Sequence, residues 1–185
     1  MPTHVVALRG GDAGVRQTVG LLSRLVAEAV VQPEVQKEAW SVTFSLPQTD
    51  RRGQAEALLR RVQSYRWRPD PEGVELVYAP KHVIAMQAGD CDELAMTLAA
   101  LYAVAGFPTR WVVVSNEPTK DFNHILVEVE VDGVWHAADP SRMPGDRAPA
   151  FGEIIGPITR TWRAPTLGRG APTLRGRIRG LWGRN

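Results

Sequence analysis

The sequence predicts an α+β domain in which helices come first and an antiparallel sheet follows. Apolar residues recur at helical spacing through the first half of the chain. β-branched residues dominate three later segments, which cover residues 111–114, 125–131 and 134–138. One further apolar stripe, over residues 92–105, ends at Gly106 and Pro108 as helices commonly do. We expect this last helix to pack on the sheet.

Three helices are predicted before residue 70. The first follows the turn at Gly11, and its apolar stripe is formed by Val15, Val19, Leu22, Val26 and Ala29. A second, shorter helix covers residues 34–44. A third covers about 55–62, with Asp50 before it and the breaker at Pro69 after it.

An Asp-Gly pair at residues 132–133 separates the last two predicted strands. This pair is the strongest short-range signal of a hairpin with a two-residue primed turn, and it fixes the strand register. If the residues that flank the turn pair with each other, Leu126 lies opposite Asp139. His124 is then a diagonal neighbour of Asp139 on the same face, with Cα atoms expected about 7–8 Å apart. The spacing therefore predicts that an imidazole and a carboxylate meet.

The chain has one cysteine, Cys91, at the first turn of the predicted helix 92–105. Backbone N–H groups and the helix dipole at such a position favour a thiolate. The carboxylates of Asp90, Asp92 and Glu93 oppose a second negative charge. Activation would therefore need a histidine, and the pair predicted on the sheet supplies one.

Taken singly, these residues have ordinary structural explanations. A lone cysteine is more often a buried core thiol, so Cys91 by itself favours that interpretation about two to one. His124 alone is more often a hydrogen-bonded structural residue, and Asp139 before a proline is a common turn former. Their combination favours a catalytic triad.

Five sequence blocks occur in a specific order. They are Gly89-Asp90-Cys91-Asp92-Glu93, Gly106-Phe107-Pro108-Thr109-Arg110, Asn123-His124, Val134-Trp135-His136 and Asp139-Pro140-Ser141. Over about residues 65–141 they closely resemble the core motif of transglutaminase-like domains, which have a papain-like fold. The segment Tyr78-Ala79-Pro80 is similar to one in small bacterial and tailed-phage members.

This resemblance implies that Cys91 is the nucleophile, His124 the general acid/base and Asp139 its orienting partner. It implies a cysteine-dependent hydrolase or acyltransferase that forms a thioester acyl-enzyme from an amide, peptide or ester. No cofactor is predicted. Gln87 is our candidate for an additional oxyanion donor. A short domain without shielding domains favours hydrolysis over transfer. The alternative is a non-catalytic phage- or prophage-type assembly protein that keeps the fold.

The charge distribution divides the chain at about residue 150. Residues 151–185 hold seven Arg and one acid, whereas residues 1–150 hold 15 basic and 19 acidic residues. We expect residues 1–150 to form the domain and 151–185 a loosely ordered, basic, Gly- and Pro-rich tail. Such a tail could bind nucleic acid or an assembly partner, or be a solvated extension. The candidate binding residues are Arg160, Arg163, Arg175, Arg177 and Arg179.

Further sequence features bear on the cellular location of the protein and on metal binding. No apolar run approaches the roughly 20 residues of a membrane helix, and the first residues do not read as a secretory signal. We expect a cytoplasmic or virion-associated protein with a protein or peptide substrate and no membrane partner. His4 and His82 lack ligand-like spacing, so no metal site is predicted. His136 falls on the opposite strand face from Asp139 and is interpreted as a packing or surface residue.

Overall fold

The computed structural model describes residues 11–71, 76–115, 122–142, 145–154 and 158–167. Five helices and six strands lie in these residues. In chain order they are α1 (Gly11–Ala29), α2 (Pro33–Thr43), α3 (Arg51–Gln63), β1 (Arg66–Trp67), α4 (Pro80–Met86), β2 (Ala88–Gly89), α5 (Cys91–Val104), β3 (Thr109–Ser115), β4 (His124–Val131), β5 (Val134–Ala138) and β6 (Arg160–Arg163).

The described strands β3 to β6 form one antiparallel sheet, and the order across it is β5-β4-β3-β6. Helix α5 packs on this sheet and is surrounded by the other helices, so nearly all of its residues are buried. Side-chain hydrogen bonds connect α1 to the sheet and α5 to α3. Trp111 Nε1 donates to Ser23 Oγ at 2.9 Å, and the Tyr102 hydroxyl donates to the carbonyl of Ala55 at 3.0 Å. The predicted α+β class is confirmed.

The predicted hairpin register is present in the sheet. Val131 pairs with Val134, and the pairing continues to Val127 and Ala138 at the open end of the hairpin. Asp132 has φ of 51° and Gly133 has φ of 82°, as a primed two-residue turn requires at both positions. Local turn chemistry therefore determined the alignment of β4 with β5.

Three short elements before α5 were not predicted. Residues Pro80–Met86 form α4, and strands β1 and β2 pair in parallel, with Arg66 opposite Ala88 and Trp67 opposite Gly89. A two-residue strand has no periodicity to detect, and this pairing joins residues that are distant in sequence. The small ladder holds the segment before the cysteine against the end of α3.

The expectation of a loosely ordered tail from residue 151 is wrong for the part that the structure describes. Strand β6 pairs with β3, and Leu167 forms a further bridge with Thr109. Arg163 is held by the buried carboxylate of Glu128, with 2.9 Å between Nε and Oε1. This segment is an edge strand because its backbone groups pair with β3, so a deletion that tests the basic tail should begin after residue 167. Arg175, Arg177 and Arg179 lie outside the described residues.

Among the described helices, none combines the length and the apolar character needed to cross a membrane.

Candidate active site

Cys91 is the first residue of α5, and the local sequence explains why the helix begins there. Asp90 Oδ1 accepts a hydrogen bond from the backbone N–H of Glu93 at 3.2 Å. Glu93 Oε2 in turn accepts from the backbone N–H of Asp90 at 3.3 Å. This reciprocal capping box fixes the first turn of the helix and therefore the position of the thiol.

Glu93 is fully buried and holds two neighbouring segments to the same turn. Its Oε1 accepts from the backbone N–H of Tyr78 at 2.9 Å, and the Arg68 guanidinium lies 3.7 Å from Oε2. Burial, the largest influence, raises the pKa of this carboxyl to about 7. The spacing of Asp90 and Glu93 signals a capping box in the sequence. No local pattern predicts the contacts from Tyr78 and Arg68, because these residues come from distant segments.

His124 and Asp139 meet as the hairpin register predicts. His124 Nε2 lies 2.8 Å from Asp139 Oδ2, and because a carboxylate only accepts, Nε2 carries the donated proton. Asp139 is held from two sides: Oδ1 accepts from the backbone N–H of Ser141 at 2.9 Å, and its carbonyl accepts from Gln63 Nε2 at 2.9 Å. This arrangement leaves His124 Nδ1 as the ring nitrogen for a second proton exchange.

The thiol of Cys91 lies against the strand that carries His124. The backbone of Ile125, the next residue along β4, is close enough to the thiol to favour its thiolate form. On the other side, Sγ lies 3.6 Å from Oδ1 of Asp92. Helix α5 packs against strand β4, so Cys91 lies beside the residue that follows His124, although the two are more than 30 residues apart in sequence.

The thiol is a neutral group in this environment. Burial raises the pKa of Cys91 well above its ordinary value, and the charges of Asp92 and Asp90 raise it further. The backbone of Ile125 opposes this rise without overcoming it. Burial and the nearby carboxylates therefore outweigh the helix dipole, and the net pKa of Cys91 is raised.

The pKa of His124 shifts in the direction that favours the charged imidazolium. Burial lowers the pKa of His124, but the hydrogen bond and charge of Asp139, with the charge of Asp92, outweigh burial and raise it above its ordinary value. A proton that leaves the thiol would therefore find a basic acceptor on the adjacent strand.

The remaining predicted residues occupy varied positions. Gln87 is exposed at the end of α4 in the left-handed region, with φ of 47°, and its carbonyl accepts from the backbone N–H of Arg66 at 2.8 Å. Its role as an oxyanion donor stays a prediction. His136 stacks on Phe151 with ring centroids 5.0 Å apart. Within the described parts of the chain, no three His, Cys, Asp or Glu side chains gather as a metal site would require.

Solved structures with a similar fold come from bacterial proteins. A candidate protease from Parabacteroides distasonis ATCC 8503 superposes with a TM-score of 0.53 and 17% identity, over 67% of this chain and 26% of that protein. A candidate cysteine protease from Cytophaga hutchinsonii gives a TM-score of 0.43 and 14% identity, over 80% of this chain and 58% of that protein. The chain thus spans about a quarter of the first protein and less than two thirds of the second. The first likeness shows a shared fold.

A search of curated proteins by sequence found no match to this chain. A family model described as the transglutaminase-like superfamily matches residues 18–140, from within α1 to the residue after Asp139. This match covers more than half of the 185 residues and includes the cysteine, histidine and aspartate blocks. The chain therefore belongs to the transglutaminase-like superfamily.

Proposed function

We propose that this protein is a thiol hydrolase that cleaves amide or peptide bonds. In this proposal Cys91 is the nucleophile, His124 the general acid/base and Asp139 the residue that orients the imidazole. The observation that carries the proposal is the pairing of His124 with Asp139, with 2.8 Å between Nε2 and Oδ2, on the strand whose next residue, Ile125, lies beside Cys91. A buried structural cysteine would need no such neighbour.

The raised pKa of Cys91 suggests how the first step proceeds. Because the resting thiol keeps its proton, His124 Nδ1 takes that proton as the sulfur attacks the carbonyl carbon. A C–S bond forms and negative charge develops on the carbonyl oxygen. First-turn N–H groups of α5 lack intrahelical acceptors and can stabilise this charge. We keep Gln87 as the candidate for a further donor.

The second half of the cycle returns the enzyme to its resting state. The C–N bond breaks as His124 gives its proton to the departing amine, which leaves a thioester on Cys91. Water then attacks the thioester, with His124 as base, and releases the acid. An amine in place of water would give acyl transfer by the same steps, so hydrolysis and transfer share the site.

The proposal is tested with peptide mixtures incubated with wild type, Cys91→Ala and His124→Ala. Mass spectrometry should detect cleavage products and a thioester adduct on Cys91 with wild type only. His136→Ala is the matched control, because it removes an imidazole that stacks on Phe151 away from the pair, and it should retain cleavage. Addition of a primary amine shows whether transfer competes with hydrolysis.

The alternative, a non-catalytic assembly protein, predicts a different pattern. Cleavage that persists in Cys91→Ala, or a thiol that forms no adduct with any peptide, would contradict the proposed function. The arginine-rich residues after 167 would then be the candidate binding element, and their binding to nucleic acid should weaken steeply with salt.

A further inference from the structure

A groove of about 310 Å³ opens beside the sheet, apart from the residues proposed to react. Arg16 of α1, Phe122 before β4, and Arg160 and Trp162 of β6 line it, together with Asp12. The groove thus brings two guanidinium groups and two aromatic rings to one opening.

The two arginines lie over aromatic rings. The Arg160 guanidinium lies 4.6 Å from the centroid of the Phe122 ring, and that of Arg16 lies 5.8 Å from the Trp162 ring. Stacked guanidiniums keep their planar edges available for a carboxylate, which binds two N–H groups at once. The rings would also offer apolar faces to a flat group beside that carboxylate.

The charges of the groove are weakly compensated. Arg160 Nη2 lies 3.3 Å from Asp12 Oδ1, but the two side chains are 45% and 63% exposed, so solvent weakens the pair. Arg16 has no carboxylate partner within the described residues. An incoming carboxylate could therefore bind Arg16 and share Arg160 without breaking a buried ion pair.

The groove lies at the end of the sheet where the proposed reacting residues lie. His124 pairs with Val114, and Val114 pairs with Thr161 on the other side, so Thr161 of the groove is two strands from His124. At the usual strand spacing this is about 10 Å. An extended peptide covers that distance with about three residues.

We infer that this groove is a substrate subsite for a carboxylate next to an aromatic side chain, about three residues from the bond that is cleaved. The inference rests on the proposed function for its catalytic meaning, but the binding itself does not need the thiol. The carboxylate could be the end of a peptide or an acidic side chain, since both present the same group.

The test measures binding in the 185-residue Cys91→Ala chain by NMR of the tryptophan indole N–H groups. The chain has six tryptophans, and the signal of Trp162 is assigned as the one absent from Trp162→Phe. Hippurate, which joins a benzoyl ring to a carboxylate, should shift this signal. Hippuramide, its neutral analogue, should need at least a tenfold higher concentration for the same shift.

Two exposed arginines of α1 provide the matched variants. Arg16→Gln should weaken hippurate binding about tenfold, whereas Arg24→Gln, outside the groove, should leave it unchanged. Equal shifts with hippuramide, or equal binding by Arg16→Gln and wild type, would overturn the inference. Unmoved signals from the other five tryptophans establish that each variant is folded.

Two peptides distinguish the source of the carboxylate. N-acetyl-Gly-Phe carries it at the C-terminus, and N-acetyl-Asp-Phe-amide carries it on a side chain. Binding of the first alone indicates a peptide end, binding of the second alone indicates an acidic side chain, and binding of neither contradicts a peptide subsite. If hippurate binds but wild-type Cys91 forms no peptide adduct, the proposed catalysis is refuted and the subsite inference is retained. If peptides are cleaved but hippurate does not bind, the subsite inference is refuted and the proposed catalysis is retained.

Discussion

His124 Nε2 lies 2.8 Å from Asp139 Oδ2, so the position of the imidazole depends on a residue that the hairpin turn brings into register. The same contact controls the protonation of the histidine, because the hydrogen bond and charge of Asp139 raise the pKa of His124 against burial. Removal of the charge with the shape retained therefore separates orientation from electrostatics.

Asp139→Asn should lower the pKa of His124, since it removes the charge while Oδ1 can still accept from the Ser141 N–H. A raised folded-state pKa stabilises the native state at pH below the unfolded pKa, and this is lost as pH rises through the folded pKa. The variant should lose that pH dependence of stability. Its rate of peptide cleavage should fall about 100-fold or more. NMR titration of the His124 ring measures the shift, with the His136 signal as reference. An unchanged titration midpoint would contradict this account.

Asp92→Asn should make the thiol more acidic. After burial, the charge of Asp92 is the next influence that raises the pKa of Cys91, and its Oδ1 lies 3.6 Å from Sγ. Alkylation by iodoacetamide near pH 8 should become several-fold faster, because the thiolate is the reacting form. Asp146→Asn, an exposed aspartate elsewhere, is the control. If both variants react at the wild-type rate, nearby charge does not control this thiol.

Glu93→Gln should flatten the pH dependence of stability. Burial raises the pKa of Glu93 to about 7 from an ordinary 4.5, so between these values the unfolded chain loses the proton while the native chain keeps it. The wild-type free energy of unfolding should therefore fall by about 3 kcal/mol as pH rises through this window. Urea unfolding at several pH values measures this fall, which Glu93→Gln should lack. The exposed control Glu28→Gln should behave like wild type; parallel curves for Glu93→Gln and wild type would refute the assignment.

Gly89→Ala should destabilise the start of α5. An added Cβ would lie 2.9 Å from both Cβ and Oε2 of Glu93, which forces the capping carboxylate to move. We expect a loss of about 1–3 kcal/mol in the free energy of unfolding. Gly20→Ala, within α1 and with nothing within 4 Å of the added Cβ, should instead stabilise by about 0.5–1 kcal/mol. Chemical denaturation measures both, and similar effects at the two glycines would contradict the packing argument.

Several features could be predicted from the sequence because short-range rules determine them. The Asp-Gly turn fixed the pairing of β4 with β5, and that pairing placed His124 beside Asp139. The apolar stripe of α5 and the glycine and proline after it located the helix within one residue of its observed ends. These features depend on residues that are close in sequence, so local sequence patterns suffice to predict them.

Other features depend on contacts between distant segments. Strand β6 exists because β3 offers it an edge, which the Gly- and Pro-rich composition around it does not reveal. The charge state of Cys91 is a balance in which burial is the largest influence, and burial is set by every element packed around the thiol. The sequence by itself determined which three residues to consider and how two of them meet. The tertiary structure decided that the thiol rests as a neutral group beside Ile125, because desolvation is a property of the assembled core.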